Sequence, residues 1–519
     1  METKSAPNEH SQEITDRNLL IVAREASGFI TIRFVGTLIG LGSNLIFARL
    51  LGAELLGAYV LASTTVLLTS LLASFGLGYM LVRFVPISLS ERDESGAAGI
   101  FALSARTVLT TSLTACLLIL VLRGFIADTV FSEPLLHAVL PIAAVTVVPH
   151  TFVILFGPTL RALKRLTLEG LSTEIIYKVA LIGCFLALFA FGFRLRGLMV
   201  AFAVGNAVTA AAMLLFINRT SPRLLRGPRA MPRPRRELFV FSGMMFSVAV
   251  MNYIMGITDR FMLGILGSSG NVGVYNIAFL VSNILATVTM AFNNIFSPII
   301  SELYHGGRRS ELRSLFQSLT RTIIMIVTPA FLWLLAFGDD LLGVFGKEFA
   351  AGYPSLVVLG LAALLSCAVG SVSMILAMTG HQKYNVWNTI TVTVLNIVLN
   401  LVLIPRYGIL GAAVATGISL TLVNVIRMFQ VRRLLGLVPY TKAYWKPVAA
   451  GVVVLGLALF LRARTPPLSI WQIVPLLVAF FGVYAGLIVA LGIERDDRLI
   501  IGRIILKLRP ARGTRDEAR

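Results

Sequence analysis

The sequence predicts an all-α integral membrane protein of about fourteen transmembrane helices, two parallel-repeat six-helix bundles around a central cavity plus two C-terminal helices. Three observations carry that expectation: a composition too apolar for a water-covered surface, a succession of apolar runs of spanning length, and turn motifs that recur between the halves. Of 519 residues, 57% are hydrophobic and 13% charged. A soluble chain carries about 25% charged residues to cover itself, so lipid must cover most of this one.

The formal net charge of +20 would point to nucleic acid if it were spread over a soluble surface. Here it lies between the apolar runs. Roughly 30 Lys and Arg fall in loops on one side and roughly 7 on the other, the asymmetry that marks cytoplasmic loops, so no nucleic-acid partner is needed. An even number of spans with basic ends places both termini in the cytoplasm and the chain in the cell inner membrane. The polar stretch METKSAPNEHSQEITDRN lacks an apolar core, so the first apolar segment is expected to remain as a helix. Cys116, Cys184 and Cys367 each sit inside an apolar run with no paired ligand nearby, and read as packing residues.

After an N-terminal tail over residues 1–23, the first bundle (24–217) offers six spans: Ser27–Leu50, Leu55–Phe84, Ile100–Leu122, Leu135–Leu160, Leu171–Phe191 and Leu198–Ile217. The connector NRTSPRLLRGPRAMPRPRRE (218–237) has seven Arg and repeated Pro, which predicts a cytoplasmic linker without helix. The second bundle (238–433) supplies Leu238–Leu266, Val272–Ile300, Leu315–Phe337, Tyr353–Met378, Val386–Ile404 and Ile409–Phe429. Residues 434–493 hold helices thirteen and fourteen, around Val448–Leu461 and Ile470–Leu491, and a basic cytoplasmic tail occupies 494–519. External loops are short, the longest lying around Gly338–Gly352.

The halves repeat. ARLLGAELLGAY from Ala48 matches LGILGSSGNVGVY from Leu263, and FRLRGLMVAFAVG from Phe193 matches PRYGILGAAVATG from Pro405. Pairing Gly52 with Gly267 and Gly197 with Gly411 gives one offset of about 215 residues across a six-helix half. Six helices per copy keep both copies in the same orientation, which suits alternating access around a central cavity.

No residue reads as catalytic and no set reads as a metal site or cofactor site. Gly346-Lys347 lacks the first Gly and the Ser/Thr of a phosphate-cradling loop, and the five His are scattered, with His150 lying within helix four. Charges within the spans are therefore the informative residues, since each is costly at bilayer depth unless it faces water or a partner. Arg33 lies nine residues beyond Arg24, about 13 Å into the first span, and is the sharpest substrate-binding candidate. Arg24 and Glu25 stand where that span begins. Asp259 and Arg260 lie near the external end of helix seven, with Asn44 at the repeat-equivalent position, and at least one of them is expected to find a partner across the cavity. Glu174 and Lys178 are spaced i to i+4 on helix five, which allows a mutual ion pair. Asn396 and Asn400, one turn apart, read as interhelical hydrogen-bonding residues, and Gly36 with Gly40 as a close-packing face. Asp339-Asp340, near a helix end, reads as a cap.

With these residues in view, the chain resembles the Wzx-type polysaccharide flippases of the multidrug/oligosaccharidyl-lipid/polysaccharide exporter superfamily. ARLLGAELLGAY, TDRFMLGILG with VGVYNIAF, SPIISELYHGG, MTGHQKYN and LNIVLNLVLIPRYGILGAAVAT carry the likeness across nearly the whole chain. The resemblance implies fourteen helices, a cationic cavity, and carriage of an undecaprenyl-diphosphate-linked oligosaccharide to the outer leaflet for surface polysaccharide synthesis. Membrane lipids, and a polysaccharide polymerase with export proteins, are the partners it implies. In relatives the cavity is lined by charged residues of the first, second, seventh and eighth helices. Arg33, Asp259 and Arg260 match that placement, whereas helix eight here offers only Asn283, Asn293 and Asn294. The alternatives are a cation-coupled multidrug exporter, which typically has twelve helices; a lipid II flippase, which carries a denser set of cavity Arg; and a membrane glycosyltransferase, for which Asp339-Asp340 is the candidate acidic pair.

Overall fold

A computed structural model describes residues 9–228, 230, 234–465, 468 and 470–492; the side chains of residues 9–27, 30, 248, 252, 291, 294, 295 and 470 lie outside that description. Helix α1 (Glu9–Ser74) is followed by α2 (Leu77–Ser90) and α3 (Glu94–Gly124), which ends in a π-helical turn, Phe125–Val130. Next come α4 (Leu135–Ala162) and α5 (Leu166–Gly170), a π-helical segment Leu171–Ile176, α6 (Tyr177–Ala190), α7 (Leu195–Thr220) and the short α8 (Pro222–Arg226). Helices α9 (Arg235–Leu266), α10 (Ser269–His305) and α11 (Arg309–Phe345) lead through a 3-10 turn, Lys347–Gly352, to α12 (Tyr353–Val369) and α13 (Val372–Met378). Helix α14 (Gln382–Leu435), a 3-10 turn Lys442–Tyr444, α15 (Trp445–Arg464) and α16 (Ile470–Ala490) complete the order, with no strand among the described residues.

Eleven of these helices are long and apolar enough to cross a membrane, or twelve if the bent α9 is one span. Side chains such as Val121 (72% exposed) and Trp471 (85%) would face water in a soluble protein; in a bilayer they meet hydrocarbon. The chain is a multi-pass membrane protein.

Two of the long helices fold back on themselves. In α14 the break is Gly408 (φ 55°), and Asn388 bonds Gln430 while Asn396 bonds Thr416, so its two legs run antiparallel. In α1 the break is Gly52 (φ 77°). Gly36 touches Glu174 and Tyr59 bonds Tyr177. A straight helix would hold Gly36 and Tyr59 about 35 Å apart, so the chain must reverse between them.

The described residues sort into two compact units: one runs to Ile257 and includes Ser268–Gly273, the other holds Thr258–Gly267 and the chain from Val274 on. In the first, α2, α3, α4 and α7 bury a cluster containing Leu77, Met80, Phe84, Ile100, Phe156 and Met213. In the second, α10, α11, α13 and the return leg of α14 bury Ile300, Phe316, Ile375 and Val431. The turn motifs that repeat in sequence need glycine for space: a Cβ on Gly57 would lie 1.6 Å from the Ser269 carbonyl oxygen, and one on Gly273 2.0 Å from that of Ala53.

The repeat is deeper in the backbone than in the sequence. Left-handed residues fall in matched pairs: Arg92 (φ 58°) with Gly307 (69°), 215 apart; Ser132 (49°) with Gly346 (148°), 214 apart; Lys164 (58°) with Gly380 (80°) and Gly192 (86°) with Gly408 (55°), each 216 apart.

Several expected boundaries are corrected. The linker 218–237 does contain helix, because Pro222 stands at the first turn of α8, where its missing N–H would have no partner anyway. The stretch expected as a loop at 338–352 is helical, α11 running to Phe345. Helix two breaks at Phe75 (φ 48°) and Gly76 (φ 66°). Thr111 donates to the Ala73 carbonyl at 2.7 Å and Ser242 to that of Phe75 at 2.6 Å, satisfying oxygens that lipid cannot. The span expected over Tyr353–Met378 is interrupted at Gly370 (φ 78°), where a Cβ would press on the Thr320 side chain.

Candidate functional site

In the first unit the outgoing leg of α1 carries a polar stripe. At 100° per residue Arg33, Thr37, Gly40 and Asn44 share a sector about 60° wide. The Arg33 side chain is exposed and makes no ion pair among the described residues; Thr37 donates to its carbonyl at 2.9 Å. Phe34 and Leu38 flank it, both more than half exposed. Asn44 uses its amide on the Gly40 carbonyl at 2.8 Å.

Beside that stripe the π-helical segment Leu171–Ile176 presents Glu174 to α1. Such insertions bulge a helix locally and often mark functional positions. A Cβ on Gly36 would lie 2.5 Å from that of Glu174, so only glycine admits the approach. Lys178 Nζ donates to Glu174 Oε2 at 2.6 Å and to the Gly36 carbonyl at 2.7 Å, and a Cβ on Gly40 would come within 3.3 Å of Nζ. The small face of α1 thus receives an ion pair. The adjacent Tyr177 bonds Tyr59, and both rings pack edge-on to Phe202.

The second unit holds a different constellation. Asp259, 7% exposed, accepts from Tyr275 (Oδ2, 2.8 Å), Thr416 (Oδ2, 2.5 Å) and Asn400 (Oδ1, 3.0 Å). Asn400 also donates to Asn396 Oδ1 at 3.1 Å, and Asn396 donates to Thr416 at 3.3 Å. Asn400 Oδ1 is buried without a donor. No ion pair to Asp259 occurs among the described residues. Its neighbour Arg260 lies over the Phe279 ring at 4.6 Å. Two hydroxyl donors and one amide N–H donor thus surround the buried carboxylate, with no cationic side chain among them.

The sequence leads one to expect that at least one of Asp259 and Arg260 finds a partner across the cavity. Asp259 is buried and hydrogen-bonded within its own unit, because Asn400 and Thr416 on the two legs of α14 reach it. The Asn396–Asn400 spacing signals that network, and the Glu174–Lys178 spacing signals the ion pair. Arg24 and Glu25 lie outside the residues whose side chains are described.

Two further sets of ion pairs carry no spacing signal in the sequence. Arg161, itself half exposed, is held by the buried Glu169: Nε reaches both carboxylate oxygens at 2.8 Å and Nη2 reaches Oε1 at 2.6 Å. Asp339 and Asp340 are not caps; Arg462 of α15 grips both, at 2.5 and 2.6 Å. Clefts of about 530 Å³ in the first unit and 410 Å³ in the second are lined by apolar side chains, with Thr the main polar type, and hold none of the charged candidates.

Comparison with known proteins fits this architecture. The profile of a family described as "Polysaccharide biosynthesis protein" matches residues 46–351. The "Probable low-salt glycan biosynthesis flippase Agl15" of Haloferax volcanii is 24% identical over 323 residues, which cover 62% of this chain and 66% of that protein, just under two thirds of its length. Among solved structures, "Lipid II flippase MurJ, inward closed conformation" superposes with a TM-score of 0.70 at 14% identity, covering 92% of this chain and 99% of that one. An inward-facing multidrug resistance MATE family transporter superposes at 0.65 and 15% identity, covering 79% and 98%. At these identities the structures show a shared fold.

Proposed function

The chain belongs to the polysaccharide biosynthesis protein family, and from that membership we propose that it is a flippase that moves a lipid-diphosphate-linked oligosaccharide from the cytoplasmic to the outer leaflet of the inner membrane by alternating access. The family match over more than half of the chain carries the reading; the glycan named for the Haloferax volcanii relative supports the substrate class. Fourteen crossings, both termini in the cytoplasm, and delivery to a polysaccharide polymerase and export proteins belong to the same proposal.

In this reading Arg33 and the polar stripe of α1 meet the anionic head group, since a guanidinium can take a phosphate bidentately. The Glu174–Lys178 pair lies beside that stripe and can exchange partners with an arriving anion. Asp259 serves as the coupling locus, where binding of a proton or monovalent cation neutralises the carboxylate and loosens or tightens the hold of α9 on α14. An inside-negative potential adds about 2.3 kcal/mol per net negative charge moved outward per 100 mV, so no ATP is required.

A drug exporter of the same fold is the second reading, favoured by the multidrug transporter superposition. The greater coverage of this chain by the lipid II flippase structure, 92% against 79%, sides with a lipid carrier bearing the additional C-terminal helices. Purified protein in liposomes with a labelled lipid-linked oligosaccharide tests the choice. Transfer between leaflets that rises with an imposed inside-negative potential is expected; transport of a cationic dye without any transfer of the labelled lipid overturns it.

A further inference from the structure

The two legs of α14 form a second polar cluster well away from Asp259 along the same helices. Its members are Asn385, Asn388 and Thr389 on the outgoing leg and Arg427 and Gln430 on the return. Arg427 lies eight residues before Leu435, about 12 Å inside the basic end of the hairpin, where Lys383, Arg432 and Arg433 are exposed.

Arg427 is half-buried, and no carboxylate lies within ion-pairing distance of it among the described residues. Nη2 donates to Thr389 Oγ1 at 3.3 Å, and Nε is buried with no acceptor. The side chains that might have served it are committed elsewhere. Asn388 and Gln430 clasp each other, amide to carbonyl in both directions, at 2.7 and 3.1 Å. The Thr389 hydroxyl gives its proton to the Asn385 carbonyl at 2.8 Å, leaving only a lone pair for Arg427. Arg161 and Arg462, by contrast, each close on carboxylates. A guanidinium with this few acceptors in a low-dielectric setting attracts a counter-ion that the protein itself does not supply.

We propose that Arg427, positioned by Thr389 and the Asn388–Gln430 clasp, is a phosphate-binding site that captures the diphosphate of the polyprenyl-linked substrate at the cytoplasmic end of the second unit. The identity of the occupant rests on the carrier reading above; the anion chemistry does not. A guanidinium fork fits two oxygens of one phosphate, and the exposed cations at the mouth raise the local concentration of anions. At the position 215 residues before Thr389 the first unit carries a carboxylate, Glu174, and it is engaged with Lys178.

Equilibrium binding of inorganic pyrophosphate to the purified full chain in lipid nanodiscs tests the site directly. Wild-type protein is expected to bind and Arg427→Gln to bind at least tenfold more weakly, with Arg427→Lys between them. Thr389→Glu, which installs an internal anion beside the guanidinium, is expected to abolish binding while the protein folds and inserts normally. Equal binding by wild type, Arg427→Gln and Thr389→Glu, or no binding by any of them, overturns the proposal. Competition separates the two sources of phosphate: displacement of pyrophosphate by undecaprenyl diphosphate assigns the site to substrate, whereas displacement by phosphatidylglycerol alone shows a bilayer lipid there and overturns the assignment. In proteoliposomes Arg427→Gln is expected to raise the half-saturating concentration of lipid-linked oligosaccharide about tenfold with little change in maximal rate. If wild-type protein transfers no lipid yet binds pyrophosphate through Arg427, the carrier reading fails and the anion site stands.

Discussion

The two units share a backbone plan and differ in how they settle buried charge. Their left-handed turns recur at offsets of 214 to 216 residues, so the path of the chain has been copied closely. The side chains have not. In the first unit Glu174 closes on Lys178 and Glu169 on Arg161, each acid meeting a base. In the second, Thr389 and Thr393 stand 215 residues on from Glu174 and Lys178, while Asp259 is surrounded by neutral donors and Arg427 finds only a hydroxyl. The difference teaches that the scaffold tolerates either solution: a duplicated helix frame holds its turns constant while one copy meets Glu174 and Glu169 with bases and the other meets Asp259 and Arg427 with neutral groups.

The largest test of that contrast is Asp259. Replacing it by Ala strands the Tyr275 hydroxyl, the Thr416 hydroxyl and the Asn400 amide, and each orphaned group costs roughly 1–3 kcal/mol. A fall of several degrees in the midpoint of thermal unfolding and loss of lipid transfer are expected. Asp259→Asn keeps the shape and should keep the fold while losing the dependence of transport on sodium or on proton concentration. Ion dependence that survives in this variant would place coupling elsewhere.

Next in size is the first unit's ion pair. Glu174→Gln and Lys178→Met each leave one charge beside Gly36 without its partner, and the double variant removes both. A double-mutant cycle on thermal stability should give an interaction of roughly 0.5–3 kcal/mol. Additivity of the two single effects would show that the pair is solvated and would erase the contrast with Asp259. Arg462→Ala is a smaller version of the same test. It strands Asp340, which is nearly buried, while Asp339 can turn to solvent, so about 1–2 kcal/mol is expected, read as earlier release of α15 in hydrogen exchange.

How much of this was legible in the sequence depends on how far apart the partners are. The spans and the Gly52/Gly267 repeat were legible because hydropathy and glycine motifs are local. Glu174–Lys178 was legible because i to i+4 is a helix neighbour. The π-helical segment that aims Glu174 at Gly36 was not, since no residue type marks such an insertion. Asp259 was singled out as costly, but its partners lie 16, 141 and 157 residues away, and only the fold-back of α14 at Gly408 brings two of them in. Arg427 lies inside the apolar run Ile409–Phe429 with nothing local to mark it, because an arginine near a span end ordinarily reaches out to the interface. Glu169 precedes the apolar run that begins at Leu171, so hydropathy does not mark it as an intramembrane charge.

The smallest test concerns the backbone that the two units share. Three turns of the first unit put Arg92, Ser132 and Lys164 in the left-handed region where the second unit has Gly307, Gly346 and Gly380. A side chain there costs about 1–2 kcal/mol through its Cβ. Glycine relieves that strain but loosens the unfolded chain by about 0.4–1 kcal/mol, so Lys164→Gly should stabilise by a few tenths to about 1 kcal/mol. Gly380→Lys should cost about as much as Lys164→Gly gains, and it isolates the backbone effect because a Cβ at Gly380 would touch nothing within 4 Å. Thermal midpoints moving in opposite directions for this pair would show that the two turns are the same structural element under different sequence. If Lys164→Gly destabilises, the lysine makes a local contribution that outweighs its strain, and the first unit's turns have then been adapted individually rather than inherited unchanged.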